Sequence, residues 1–257
     1  AEWTIPHFEK MLYDNGPLLA LYADAALVTG DGRYREVARG IVEWMASEMR
    51  ADDGALYSSL DADSEGEEGK FYVWTPDEVR AALAPDEWAL ARRHFGLDGP
   101  PNFEGRAWHL RVARPLDDVA LELGIGLDDA EARLRAARAR LLEVRARRVR
   151  PGLDDKVLTS WNALAIAGLL RAGRALGEPG WIGMAEAALG ALRRTVWRDG
   201  RLHATRRGGE PALPACLDDY AFVLAALVEM MQTRFRAADY AWAVELADAL
   251  VERFEDR

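Results

Sequence analysis

Three stretches of this chain repeat one two-part pattern: a helix apolar on almost every side, then an amphipathic helix. The first starts at Asn15 and runs through Leu18, Leu19, Ala20, Leu21 and Tyr22 to Gly30. Its follower carries Tyr34, Val37, Ala38, Ile41, Val42, Met45 and Met49 at intervals of three and four. The second starts at Asn162 with Leu164, Ile166, Leu169 and Leu170, followed by Trp181, Ala185, Ala188, Leu189, Leu192 and Val196. The third starts at Asp219 with Phe222, Val223, Leu224, Leu227 and Met230, followed by Tyr240, Val244, Ala247, Val251 and Phe254. A helix apolar all round must be surrounded by protein, whereas an amphipathic one keeps a wet face. Repeated pairs of this kind predict inner and outer layers of helices, and buried inner helices favour a closed ring over a solenoid. The expected fold class is all-α, an α/α toroid of helical hairpins.

The anchors Trp181 and Tyr240 are 59 residues apart, and Tyr34 and Trp181 are 147 apart, which leaves room for a divergent hairpin with an insertion. The chain is read as a single, incomplete toroid domain over 1–257, with about four hairpins and an insertion near 55–127. In that insertion Phe71 to Trp74 and Trp108 to Val112 read as short strands that pair in a small β-hairpin. Pro76 with Asp77 and Glu78 starts a helix, and Asp128-Asp129 caps a long outer helix reaching about Arg148, with Leu134, Ala137, Leu141 and Val144 on one face.

A net charge of −10 argues against nucleic acid or an anionic membrane as the main partner. The one cysteine, Cys216, excludes an intrachain disulfide and a C-x-x-C redox pair, and suits a reducing cytosol, so a cytoplasmic protein is expected. No apolar run reaches transmembrane length. The sequence opens on motif-like residues without Met and is expected to be a piece of a longer protein. Lysine occurs only at Lys10, Lys70 and Lys156 against 30 arginines, and asparagine only at Asn15, Asn102 and Asn162. A lysine kept against such a bias is a candidate for chemistry that a fixed guanidinium cannot perform.

These scarce residues fall at the connections into the inner helices. His7 to Asn15 leads into the first, Asp154 to Asn162 into the second, and Cys216 to Tyr220 into the third. In a ring of hairpins all inner helices start on one rim, so the three motifs are expected to converge where free N–H groups and positive dipole ends favour anionic or hydroxyl-rich ligands. Candidate catalytic residues are His7, Lys10, Asp61, Asp63, Lys156 and Asp219. Candidate binding residues are Asp14, Asn15, Trp74, Asp155, Trp161, Asn162, Asp218 and Tyr220. Several also suit plain structural roles: Ser160, Asn15 and Asp218 or Asp219 as N-caps, Trp161 and Tyr220 as core.

The segment Asp61 to Phe71 imitates the start of a calcium-binding EF-hand loop through Asp61, Asp63, Glu65 and Gly66. Its twelfth position, however, is Tyr72, where such a loop needs a bidentate Glu. The four histidines lack metal-ligand spacing, so neither a metal nor a cofactor is expected. The dense carboxylates facing Lys70 instead offer an acid and a base with separated pKa values. Asn102 to Gly105 is a weaker candidate segment.

At these motifs the chain resembles the thioredoxin-domain-containing proteins of the YyaL type, whose animal members are spermatogenesis-associated protein 20-like. The resemblance rests on HFEKMLYDN (His7–Asn15), DADSEGEEGKFYVWT (Asp61–Thr75), NFEG (Asn102–Gly105), DDKVLTSWN (Asp154–Asn162) and DDYAF (Asp218–Phe222). It implies a toroid similar to the six-hairpin glycosidases and N-acylglucosamine 2-epimerases, with a thioredoxin-like domain elsewhere in the longer protein as a possible partner. The function it implies is carbohydrate-active, a sugar epimerase, isomerase or glycoside hydrolase. The alternatives are a non-catalytic module binding sugar or peptide for the thioredoxin-like domain, or a scaffold.

Overall fold

The computed structural model describes residues 5–255; residues 1–4 and 256–257 of the expected domain lie outside that part. Its helices are α1 (Leu12–Thr29), α2 (Gly32–Glu48), α3 (Pro76–Ala82), α4 (Pro85–His94), α5 (Leu116–Leu123), α6 (Leu127–Ala146), α7 (Thr159–Leu176), α8 (Pro179–Thr195), α9 (Leu217–Thr233) and α10 (Ala237–Phe254). No helix among the described residues is long and apolar enough to cross a membrane. The chain divides into two compact units. One joins the residues up to Glu9 with Asp61–Gly152, and the other joins Lys10–Leu60 with the chain from Leu153 onward.

The second unit is built of the three predicted hairpins, α1–α2, α7–α8 and α9–α10, with α7 packed against both α1 and α9. This is the helical-hairpin architecture of an all-α toroid, with α1, α7 and α9 inside and α2, α8 and α10 outside. The inner helices are not equally enclosed. α7 buries residues on every side, among them Asn162, Ile166, Leu169, Leu170 and Leu176. α1 buries only Leu12, Gly16, Leu19 and Ala23 and leaves Leu21 62% and Val28 86% exposed. The difference follows from position: α7 has an inner neighbour on each side, and α1 has only α7.

Two short ladders tie the hairpins at their N-terminal end. Lys10–Met11, Ser59–Leu60 and Leu153–Asp154 form an antiparallel set with Lys10 opposite Leu60 and Ser59 opposite Asp154. Val157–Leu158 pairs with Arg201–Arg207, which also pairs with Trp197–Arg198 and Glu210–Pro214. These ladders move the helix starts. α1 begins at Leu12 and α7 at Thr159, so Asn15 and Ser160 lie inside the first turn rather than at the caps. α6 likewise starts at Leu127 after Gly126, which places Asp128 and Asp129 in its first turn, where their charge complements the helix dipole.

The first unit packs α3 to α6 around Val79, Leu90, Val119, Leu134 and Leu141. Of the two expected strands only one bridge forms, between Trp74 and Trp108. The physical reason is Arg148. Its Nη1 donates to the carbonyls of Lys70 (3.4 Å), Phe71 (3.1 Å) and Val73 (2.6 Å), gathering into a turn the groups that a strand would point to both sides. The EF-hand-like segment is a tight hairpin instead. Asp63–Ser64 pairs with Glu67–Glu68 across Glu65 (φ 54°) and Gly66 (φ 77°), the two-residue loop with both φ positive that suits strand twist.

Candidate functional site

The rim predicted from the repeats forms within the second unit. Tyr13 in the first turn of α1 meets Trp161 in the first turn of α7 edge to face, ring centroids 4.8 Å apart. Asp219 in the first turn of α9 accepts the backbone N–H of Ser160 at 3.1 Å through one oxygen and that of Cys216 at 2.9 Å through the other. The starts of all three inner helices are therefore neighbours, joined by an aromatic pair and by one carboxylate serving two helix termini.

Around this centre stand the other candidates. Asp14 and Asp218 are exposed. Lys156 pairs with Asp154 at 2.8 Å, and Asp155 with Arg207 at 2.6 Å. Lys10 sits on the ladder that also carries Asp154. Partial burial works against the charge on Asp154, but the Lys156 ammonium and backbone N–H hold its carboxyl below the usual range. At Asp219, which is 4% exposed, burial is the largest influence and raises the carboxyl, opposed by the N–H groups that it accepts.

Three candidates are absorbed by the framework. Asn15 Nδ2 donates to the Met11 carbonyl at 2.8 Å. Asn162, 0% exposed, accepts from Leu56 N–H and donates to Leu56 O, both at 2.8 Å, and also donates to Leu158 O at 3.0 Å. The buried Tyr220 accepts the Leu202 N–H at 3.0 Å through its hydroxyl. Cys216, Asp218 and Asp219 offer ligand atoms within 4.8 Å of one another, but both Asp219 oxygens already hold N–H groups.

His7, Asp61, Asp63 and Trp74 belong to the first unit. His7 is exposed, with Nδ1 3.2 Å from Glu9 O, and Asp61 accepts the Asp63 N–H at 3.2 Å. Trp74 is buried under the Arg148 guanidinium, 4.0 Å from its ring centroid. A cavity of about 780 Å³ lies here, lined by Trp74, Glu65, Glu67, Lys70 and Arg106 among others. A charge chain crosses its wall: Glu65–Lys70 at 3.3 Å, Lys70–Glu67 at 2.8 Å, Glu67–Arg106 at 3.2 Å and Arg106–Glu104 at 2.8 Å. It joins the two Glu-Gly turns at 65–66 and 104–105, in both of which the glutamate holds a positive φ. The Asp61–Phe71 and Asn102–Gly105 segments, separate in the sequence reading, thus meet. Glu67 and Arg106 were not among the candidates, nor were Tyr13, Gly16 and Gly168 of the other unit. The glycines could have been suspected as isolated breaks in otherwise apolar helices.

No family model matches the chain. It is 31% identical to mouse spermatogenesis-associated protein 20 over 289 residues and 32% identical to the human protein over 290, covering 99% of this chain in each case. The chain is a relative of spermatogenesis-associated protein 20. It spans 37% of the length of those relatives. An uncharacterised Caenorhabditis elegans protein is 29% identical over 96% of the chain. Among solved structures, a D-mannose isomerase aligns with TM-score 0.41 and 12% identity over 96% of this chain and 60% of its own. The unsaturated glucuronyl hydrolase of Bacillus sp. GL1 aligns with TM-score 0.39 and 17% identity over 95% and 63%.

Proposed function

We propose that this chain is the carbohydrate-handling toroid segment of a longer protein, and that its ligand sits at the inner-helix starts. The observation that carries this reading is the Tyr13–Trp161 pair joining the starts of α1 and α7, with the exposed Asp14 and Asp218 in the first turns of α1 and α9. Sugars present an apolar C–H face that packs on aromatic rings and hydroxyls that donate to carboxylates. The Lys156–Asp154 pair, with Lys10 on the same ladder, supplies proton donors and acceptors for isomerisation, epimerisation or hydrolysis. His7, Asp61 and Asp63 belong to the first unit and take no part in this reading of the rim.

A second reading, a module that binds without turnover and serves a thioredoxin-like domain, is favoured by one feature. Asp219 and Asn162 spend their polar atoms on backbone groups, which leaves fewer free groups for chemistry.

Calorimetric titration with a panel of reducing sugars and glycosides tests the site. Trp161→Ala is expected to weaken binding by about tenfold or more, the order of one lost stacking contact with its buried area. An unchanged affinity would remove the rim as the site. Turnover lost in Lys156→Met while binding persists would mark the enzyme; affinity effects alone would mark the module.

A further inference from the structure

We propose a second ligand site, separate from the rim and independent of its reading, that takes a small organic acid with an apolar body. The site is a cleft of about 380 Å³ within the first unit, where α6 faces the Phe95 and Leu110–Val112 segments. Trp74, Phe95 and Leu141 form its apolar wall, and two guanidiniums, Arg138 and Arg145, complete it. No carboxylate lines the cleft, and among the described residues neither arginine has an ion-pair partner.

The chain carries 43 acidic residues against 33 basic ones, and the neighbouring arginines Arg133, Arg135, Arg140 and Arg148 all hold carboxylates. Arg145 is the informative one. Its guanidinium lies over the Phe71 and Tyr72 rings at 5.4 and 5.5 Å, and its Nε is enclosed with no hydrogen-bond partner. Burial pushes its pKa down, yet a guanidinium stays charged at any ordinary pH. A half-enclosed guanidinium with no carboxylate beside it is a costly arrangement, and a carboxylate that reaches its accessible edge offsets that cost with a charge-assisted bond.

The rest of the cleft defines the ligand's other end. Val112 is 61% and Leu142 56% exposed at its edge, apolar surface that water covers poorly and a hydrocarbon or aryl group would cover well. The volume admits a medium alkyl chain or a single ring system, and the walls offer little to a sugar or a nucleotide. The two-part chemistry, guanidinium at one end and apolar surface at the other, selects an amphipathic carboxylate over either a neutral lipid or a bare anion.

Isothermal titration of the full chain with octanoate tests this, with 1-octanol and acetate as the neutral and the truncated controls. Saturable one-site binding of octanoate, with octanol and acetate weaker by at least about tenfold, is the expected result. Arg138→Gln should weaken octanoate several-fold and leave octanol unaffected, whereas Leu142→Asp, which removes apolar surface from the hydrocarbon's place, should weaken both. Both positions are exposed, so the fold is retained, as circular dichroism would verify. Arg145→Gln should show the largest loss. Equal binding of octanoate and octanol, absence of saturable binding, or octanoate affinity indifferent to Arg138→Gln and Leu142→Asp would each overturn the proposal.

Discussion

Asn162→Asp is expected to destabilise the fold by about 3–5 kcal/mol at neutral pH, although it changes one group of nearly equal size. The Asn162 amide works as a peptide mimic: Oδ1 takes the Leu56 N–H while Nδ2 gives to Leu56 O and Leu158 O, all in a fully buried position. Aspartate keeps the acceptor, loses both donated bonds, and turns a carboxylate oxygen toward two carbonyls. The pH dependence has a defined sign. A buried, unpaired carboxyl has a folded-state pKa above its unfolded value near 3.9. The folded state then binds more protons than the unfolded, so the variant loses stability as pH rises through that window and regains it on acidification. Urea unfolding of wild type and variant at pH 5 and pH 7 measures this. A loss below about 1 kcal/mol at both values would mean that the amide bridge does not hold α7 to the Leu56 segment.

Gly168→Ala is the second large effect. A Cβ built at Gly168 would overlap the Gly16 carbonyl oxygen, and one at Gly16 would lie 2.5 Å from the Leu164 oxygen. α1 and α7 thus touch backbone to backbone, and the atoms in the way cannot rotate aside. One methyl must separate two inner helices, at an expected cost of about 3 kcal/mol or more, the upper end for overpacking. Because the same crossing brings Tyr13 to Trp161, the variant should also alter the near-ultraviolet circular dichroism of the aromatic residues. Gly180→Ala, with open space around it, serves as the control and should leave both stability and spectrum close to wild type. Wild-type-like stability of Gly168→Ala would show that the crossing is looser than described.

Those two positions mark the boundary of what the sequence revealed. The hairpins and their inner and outer layers were legible because burial imposes a period of 3.6 residues that survives in composition. The convergence of the helix starts followed from the phase of the repeats. The glycine crossing left no such trace, since it depends on two remote residues having no side chain. The scarcity of asparagine was visible but its meaning was not. Asn102 bridges His109 N–H and O as Asn162 bridges Leu56, so asparagine is retained where one planar group must both donate and accept. Asn15 and Ser160 looked like caps because two-residue strands, formed by pairing between distant segments, carry no periodicity that would announce them. In the first unit the charged turns were recognisable as unusual, but their joining through Lys70 and Arg106 required the fold.

On the function proposed, a sugar binds where the three inner helices begin. Titrating the isotope-labelled chain with reducing sugars, and following the Trp161 indole and the Tyr13, Ser160 and Asp218 amides by NMR, tests it most directly. Saturable shifts concentrated on those residues are expected, as is their loss in Trp161→Ala. Shifts centred on the Glu67–Lys70–Arg106 cavity with the rim unmoved, or no shifts with any sugar, would contradict it.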